Sequence, residues 1–422
     1  MNSWISSWQQ FLLEHPPLQI KYPSEPLQIP KVSSDELASN ELFWQEVKNR
    51  YPQPDRYINL NSGAVSSSPH IVEKAFTGYY TLANRIPSYY IFRYMEQGRE
   101  LIRQGLAGLI NSSPEEVTIL RNTTEALNNL IFGIQLEAGD EVVACKQDYS
   151  KAISSWKQRE LRDHIKTKWI SLDGPAETDE EIIAKFVGAF TEKTKVLHLT
   201  HVINWNGQIL PVKKLIQEAK KRNIAVLLDA AHSFGLLETD VKALGCDYFV
   251  TALHKWLSGP IPSALMYIQK DKIHDVWPLA SSTTPASDNI RKFEELSIQL
   301  MPAIIALGFA IEFYLQLGRN NKEQRLRYLR NYWVSQLQEL NSFHFHTPIQ
   351  AEERCCVIVN IALNGWEPVA LDKHLLEQYN IHVTAVTWEN MQGIRVTPNV
   401  YTTLEELQLM VHALQQTSRE RS

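Results

Sequence analysis

Two positions near the middle of the chain carry residue types that could act together. Ile224-Ala225-Val226-Leu227-Leu228 is an unbroken apolar run that ends in Asp229, and a second run, Tyr248-Phe249-Val250-Thr251-Ala252-Leu253, ends in His254-Lys255-Trp256. Runs of this kind read as strands buried on both faces, and open parallel sheets gather ligands at the carboxyl ends of their strands. An acid and a lysine would then meet at one sheet mouth. Burial beside Leu253 and Trp256 should lower the lysine's pKa and free its amine for imine formation with a carbonyl group. Taken alone, Asp229 reads equally as the cap of a following helix, and His232 three residues on as a satisfied core histidine. The pairing carries the signal: a lysine to hold an aldehyde and a carboxylate to keep a basic ring nitrogen protonated.

The elements that must position this pair follow from the patterning. From about residue 100 onward, helical segments alternate with short apolar runs, which predicts an α/β fold with a mostly parallel sheet covered by helices. Strands are expected at 141–145, 196–199, 225–228 and 248–251. Ser113-Pro114-Glu115-Glu116 offers a helix cap, a first-turn proline and first-turn acids, and Pro211 opens a helical segment reaching Lys221. Beyond Leu317-Gly318 the pattern becomes a long charged helix over 321–340, strand-like runs at 356–362 and 381–386, and a closing helix from about Leu404. Arg325, Arg327 and Arg330 on the charged helix read as a solvated face. The Pro- and Trp-rich start, with a helical patch at 41–48, reads as an arm packed on a larger body. At 422 residues the chain exceeds a comfortable single core. The expected division is an arm over 1–55, a large domain over 56–318 and a small α+β domain over 319–422.

With 44% apolar and 21% charged residues and a formal net charge of -5, the chain reads as globular, with no electropositive footprint for nucleic acid or an acidic membrane. The start lacks the basic region of a signal peptide, and no stretch approaches the roughly 20 apolar residues of a spanning helix. A cytoplasmic location is expected. Cys145, Cys246, Cys355 and Cys356 show no metal-type spacing and read as reduced core thiols.

The set Asp229-Ala-Ala-His232, Gly245-Cys-Asp247-Tyr248, His254-Lys255-Trp256-Leu257 with Gly259-Pro260, and Arg395-Val396-Thr397-Pro398-Asn399-Val400-Tyr401-Thr402-Thr403 resembles the class V aminotransferases, within them the isopenicillin N epimerase-like branch that includes ergothioneine-forming carbon-sulfur lyases. The resemblance covers roughly residues 40 to 412. It implies pyridoxal 5'-phosphate as cofactor, the fold type I architecture with a large seven-stranded sheet, and a homodimer acting on a small amino-acid substrate. By the same resemblance Lys255 is the Schiff-base lysine, Asp229 the partner of the pyridine nitrogen, and His232 the residue against the ring. Thr123 and Thr124, in Asn122-Thr123-Thr124-Glu125, resemble the phosphate-binding turn, with Thr124 the favoured hydroxyl. Tyr149 is implied to stack on the ring, Asn204 to stand near the pyridoxal hydroxyl, and His254 near the phosphate. Arg395 is implied as the clamp for the substrate carboxylate, where a planar fork suits two oxygens, and Asn61 as a second substrate-binding residue.

Three departures stand out. Ala252 replaces a small hydroxyl residue three positions before the lysine, Pro260-Ile261-Pro262 replaces a glycine-rich stretch, and Phe293 to Ile298 stands where relatives often carry a Gly-Thr pair reaching the neighbouring subunit's phosphate, so that either Ser297 substitutes or the contact is lost. Cysteine desulfurases carry a nucleophilic Cys just before the substrate arginine; the segment from Thr384 to Met391 has none. The expected order of reactions is carbon-sulfur lysis or related side-chain elimination, then transamination, then epimerisation. A non-catalytic binding protein of the same fold is the alternative from another class, and a visible absorption band that borohydride bleaches separates the two.

Overall fold

The chain, described over residues 1–18, 26–54 and 56–420 by a computed structural model, builds three sheets among those residues. β1 (Ile58–Asn59) belongs to the smallest of them. The central sheet comprises β2 (Val117–Leu120), β3 (Glu141–Cys145), β4 (Lys166–Ile170), β5 (Thr194–Thr200), β6 (Ala225–Asp229), β7 (Tyr248–Ala252) and β8 (Ala264–Ile268). Its order is β2-β8-β7-β6-β5-β3-β4, and β8 alone runs against its neighbours, β7 and β2. The seven-stranded, mostly parallel α/β architecture is therefore present. Leu197, Leu199, Val226, Leu228 and Phe249 face one apolar core, while Val196, Leu227, Tyr248 and Val250 face another. Burial on both faces is why these strands read as continuous apolar runs without alternation.

The order also locates the mouth. After β3 the chain moves outward to β4 and then returns on the other side to β5, β6 and β7, so the loops leaving β3 and β5 diverge. Such a reversal opens a crevice at the carboxyl ends. The Thr123–Gly133 helix starts beside it, its first turn capped by the Asn122 side chain, which accepts from the Glu125 N–H.

Beyond the Met301–Leu317 helix, buried along most of its length, β9 (Phe343–Phe345), β10 (Val359–Leu363), β12 (Thr384–Trp388) and β13 (Met391–Val396) form an antiparallel sheet ordered β12-β13-β10-β9. β11 (Ile381–His382) pairs in parallel with β1, so residues 58–59 lie against the C-terminal part of the chain. The first helix, Asn2–Glu14, buries Trp4, Trp8 and Phe11 in the main core, whereas Phe43, Trp44 and Val47 of the Glu41–Lys48 helix join the core of the C-terminal part. The N-terminal segment thus braces both.

Several expectations are corrected. Ser113 does cap a turn, with a capping box to Glu116, but the turn is a single 3-10 piece, Pro114–Glu116, because the β-branched run at 117–119 enters the sheet at once. The charged helix spans Arg319–Val334, set off from its predecessor by Gly318 at φ 84° and ending in turns before residue 340. The strand expected from 356 starts at Val359, and the run at 381–386 is two strands with different partners. Arg325 and Arg330 are not solvated: 1% and 2% exposed, they pair with Glu41 and Glu352 and donate to the carbonyls of Ala38 and Cys355. The helix is wedged between the N-terminal segment and the loop before β10, so guanidinium groups satisfy backbone carbonyls that water cannot reach.

Candidate active site

Asp229 ends β6 and Lys255 follows β7 by three residues, and the Leu228↔Phe249 and Asp229↔Val250 register brings both to one cavity of about 340 Å³. Thr123, Thr124, Tyr149, Asn204, His232, His254 and Arg395 line the same cavity. Asn61 adjoins it, sharing a hydrogen bond with His382 and accepting one from Arg395.

Nζ of Lys255 lies 2.9 Å from Nε2 of His232. Burial lowers the Lys255 pKa to about 8, with Asp229 opposing the shift and Arg395 adding to it. Burial likewise holds His232 well below its ordinary value, reinforced by Lys255 and Arg395, so the imidazole is neutral and can share a proton with the amine. Asp229 is pushed up to about 6, first by burial and then by the charge of Asp148, against the Ala231 N–H that its Oδ1 accepts at 2.8 Å. The helix-cap reading of Asp229 fails, since the residues after it form turns.

The Lys255 shift has a consequence for the protein without cofactor. Between pH 8 and 10.5 the unfolded chain holds a proton that the folded chain has released, so stability rises with pH across that window. Urea melts of wild type and Lys255→Ala at several pH values should show the wild type gaining on the variant from pH 8 to 10.5 by about 2 kcal/mol, less than the whole shift because the amine reaches the cavity. A constant difference across the window would contradict the buried-amine account.

Arg395, 5% exposed on β13, donates from Nη1 to the Asn204 carbonyl and from Nη2 to Oδ1 of Asn61, each at 3.0 Å. Burial lowers its pKa to about 10, which leaves it charged at neutral pH. These two contacts fix the guanidinium plane and leave other donors available. His254 is held by the backbone of Ser263, its Nδ1 2.8 Å from that carbonyl. Tyr149 and Thr124 meet at 3.4 Å between hydroxyls. Four buried polar atoms of the lining have no partner: Thr123 Oγ1, Asn204 Oδ1, His232 Nδ1 and Arg395 Nε. A buried polar group without a partner costs about 1 to 3 kcal/mol.

These atoms fit pyridoxal phosphate. The Thr123–Gly133 helix presents first-turn N–H groups and the Thr123 hydroxyl to an anion, Asp229 offers an acceptor for a ring N–H, and Asn204 and Arg395 remain for the ring hydroxyl and a substrate carboxylate. The Thr123 hydroxyl is without a partner among the described residues, whereas that of Thr124 lies 3.4 Å from the Tyr149 hydroxyl.

Ser297 is not brought to this cavity. It is exposed, at φ 62°, on the segment leading into the Met301–Leu317 helix. Ala252 lies buried within the sheet opposite Ala264, so its missing hydroxyl removes nothing from the lining. Residue patterning missed Thr200, Gly63 and Val202, which also line the cavity. Thr200 was findable as the polar end of β5, opposite Asp229. Gly63 has no local signal: a Cβ there would stand 2.9 Å from the Thr397 side chain, a contact made only in the folded chain.

The family model for aminotransferase class V matches residues 58–410. Isopenicillin N epimerase of Streptomyces clavuligerus is similar over 387 residues at 24% identity, covering 88% of this chain and 97% of that protein. A cysteine desulfurase of Pectobacterium carotovorum subsp. carotovorum (strain PC1) is 27% identical over 342 residues, 76% of this chain and 82% of that one. Among solved structures, an apo cysteine desulfurase from Thermococcus onnurineus NA1 superposes with a TM-score of 0.79 at 20% identity, covering 89% of this chain and 98% of that one. The cystine C-S lyase C-DES, solved with its product cysteine persulfide, gives 0.77 at 21% identity, over 85% and 97% of the two chains. The match over most of the chain, together with a lysine and an acid at one sheet mouth, makes this protein a member of the class V aminotransferases, enzymes dependent on pyridoxal phosphate.

Proposed function

We propose that the protein eliminates a sulfur-bearing group from the β carbon of an α-amino acid. The observation that carries this reading is the Lys255 amine, 2.9 Å from a neutral His232, in one cavity with Asp229 and the anchored Arg395. When bound, pyridoxal phosphate supplies an aldehyde for the substrate amine and a ring that takes up the electron pair left on the α carbon. Lys255 removes the α proton, with a pKa near 8 that leaves a useful fraction of free amine at neutral pH. His232 shares that proton and, lying beside the ring, keeps the amine aimed. Asp229 holds a proton at the pyridine nitrogen. Arg395, with Asn61 behind it, grips the carboxylate so that the bond to be broken stands across the ring plane. Thr123, Thr124 and His254 would hold the phosphate, Tyr149 would stack on the ring and Asn204 would meet its hydroxyl.

Elimination is preferred to persulfide-forming desulfuration because the β12–β13 hairpin has no thiol, and all four cysteines are buried and unpaired. The likeness to a cystine C-S lyase supports the same choice. Assaying a panel of amino acids and cysteine conjugates tests it: elimination releases a keto acid with ammonia, transamination a keto acid without ammonia, and epimerisation neither. The last two outcomes would replace the reading.

Asp229→Ala should still fix the cofactor to Lys255 on borohydride treatment yet lose at least about a hundredfold in turnover, roughly 3 kcal/mol, because an unprotonated ring is a weak electron sink. Near-normal turnover would reduce Asp229 to a structural residue.

We also infer a homodimer. Ile298 and Leu300 are 67% and 47% exposed on the segment carrying Ser297, and they line an apolar cleft with Ile119 and Pro262 next to the start of the Thr123–Gly133 helix. A second copy seated there would bring Ser297 to its partner's phosphate. Sedimentation at micromolar concentration should give a dimer, and Ile298→Asp a monomer with weakened cofactor retention; a wild-type monomer that holds cofactor would refute this. The large and small domains are assigned to 56–318 and 319–422, and the buried free thiols suit a cytoplasmic location.

A further inference from the structure

Behind the cavity wall lies a buried polar chain that the proposed chemistry leaves unused. Asp148, 1% exposed, follows β3; His198 and Thr200 lie on β5, and Trp156 on the Ser150–Asp163 helix. Oδ1 of Asp148 accepts from the Thr200 hydroxyl at 2.5 Å and from the Tyr149 N–H at 2.6 Å. Its Oδ2 faces Nε2 of His198 at 3.4 Å, while Nδ1 of His198 is 2.7 Å from the Trp156 indole nitrogen.

Indole N–H can only donate, so Nδ1 of His198 must be the acceptor and its ring proton sits on Nε2, which lies beside Oδ2 of Asp148 without a hydrogen bond between them among the described residues. Two donors, the Thr200 hydroxyl and the Tyr149 N–H, thus converge on Oδ1 of Asp148. The position is equally specific. Thr200 pairs in register with Asp229 on the neighbouring parallel strand, and both line the cavity. The hydroxyl that holds Asp148 therefore stands beside the carboxylate that meets the ring.

We propose that Asp148 is a positioning residue: a second carboxylate behind Asp229 whose charge retains the proton at the ring nitrogen of the bound cofactor, held in place by Thr200 and lying beside the ring of His198, which Trp156 orients. The charged and titratable groups facing Asp229 are Asp148 after β3, His198 on β5 and Lys255 after β7. Of these, Asp148 alone adds negative charge. Its backbone link to Tyr149 gives it a second task, setting the stem of the residue assigned to stack on the ring.

The inference rests on the cofactor reading, and the test separates the two. Holoenzyme loaded with ring-15N pyridoxal phosphate is titrated from about pH 6 to about pH 11 while the ring nitrogen's chemical shift is followed. In Asp148→Asn the midpoint for loss of the ring proton should fall by about one pH unit. His198→Leu leaves the carboxylate but removes the polar ring N–H that lies 3.4 Å from it, and should give a fall of about half that size. It also avoids the clash of two N–H groups that the amide in Asp148→Asn would make with His198, and so decides the matter if Asp148→Asn fails to fold. A purely structural role would lower the melting temperature of the variants and leave the midpoint within about 0.2 unit of wild type, which would overturn the proposal. If wild type itself cannot be fixed to the cofactor at Lys255, the functional reading falls first, and this one with it.

Discussion

Lys255→Ala is expected to abolish the borohydride-reducible attachment of pyridoxal phosphate and to slow exchange of the substrate α proton by at least about a thousandfold, roughly 4 kcal/mol. Lys255 is the sole lysine among the cavity-lining residues. Lys322 is another amine whose pKa burial lowers, to about 7. That amine is committed elsewhere: it donates to the Trp256 carbonyl and lies 5.4 Å from the centre of the Tyr314 ring, behind the segment that carries Lys255. The variant should remain folded, because it loses a buried amine with no salt bridge of its own. Peptide mapping after borohydride reduction makes the result decisive. An adduct retained in the variant, at Lys322 or elsewhere, would remove the basis of the mechanism.

Arg395→Lys should lower kcat/KM for carboxylate-bearing substrates by about thirtyfold or more, on the order of 2 kcal/mol, while the resting cofactor absorption stays unchanged. The geometry sets this expectation. The guanidinium is held at two points, by the Asn204 carbonyl and Asn61, with Nε unpartnered. A lysine keeps the charge but cannot hold both anchors and also present a fork to two oxygens. Steady-state kinetics and an absorption spectrum on the same preparation check both halves. Were the spectrum to move while kinetics stayed intact, Arg395 would serve the cofactor or the fold, and the amino-acid reading would lose its main support.

The pair Asp229 and Lys255 was legible because strand burial on both faces leaves a local trace. An unbroken apolar run that stops at an acid, and another that stops at a lysine, announce two strand ends, and adjacent parallel strands bring such ends together. The central strands and the closing helix were readable for the same reason. Where signals were weaker, elements were placed but misjudged: Ser113 carries a sound cap, yet the length of the turn it caps was decided by the sheet that recruits the next residues.

What the amino-acid sequence determined by itself is the chemistry at the sheet mouth, Asp229, Lys255 and the helix start at Thr123, since each depends on residues close by in the chain. Tertiary structure alone decided what surrounds them. Arg395 meets Asn61 across 334 positions, and no local pattern records a contact that exists only when β1, β11 and β13 come together. Arg325 and Arg330 of the Arg319–Val334 helix look solvated because charge usually is; they are buried because two distant segments close over them and supply carboxylates and carbonyls. Asp148, His198 and Trp156 likewise lie on three separate elements, and each is unremarkable in its own segment. The donor-only indole and the acceptor-only carboxylate acquire a direction, and hence a role, only when packing sets them end to end.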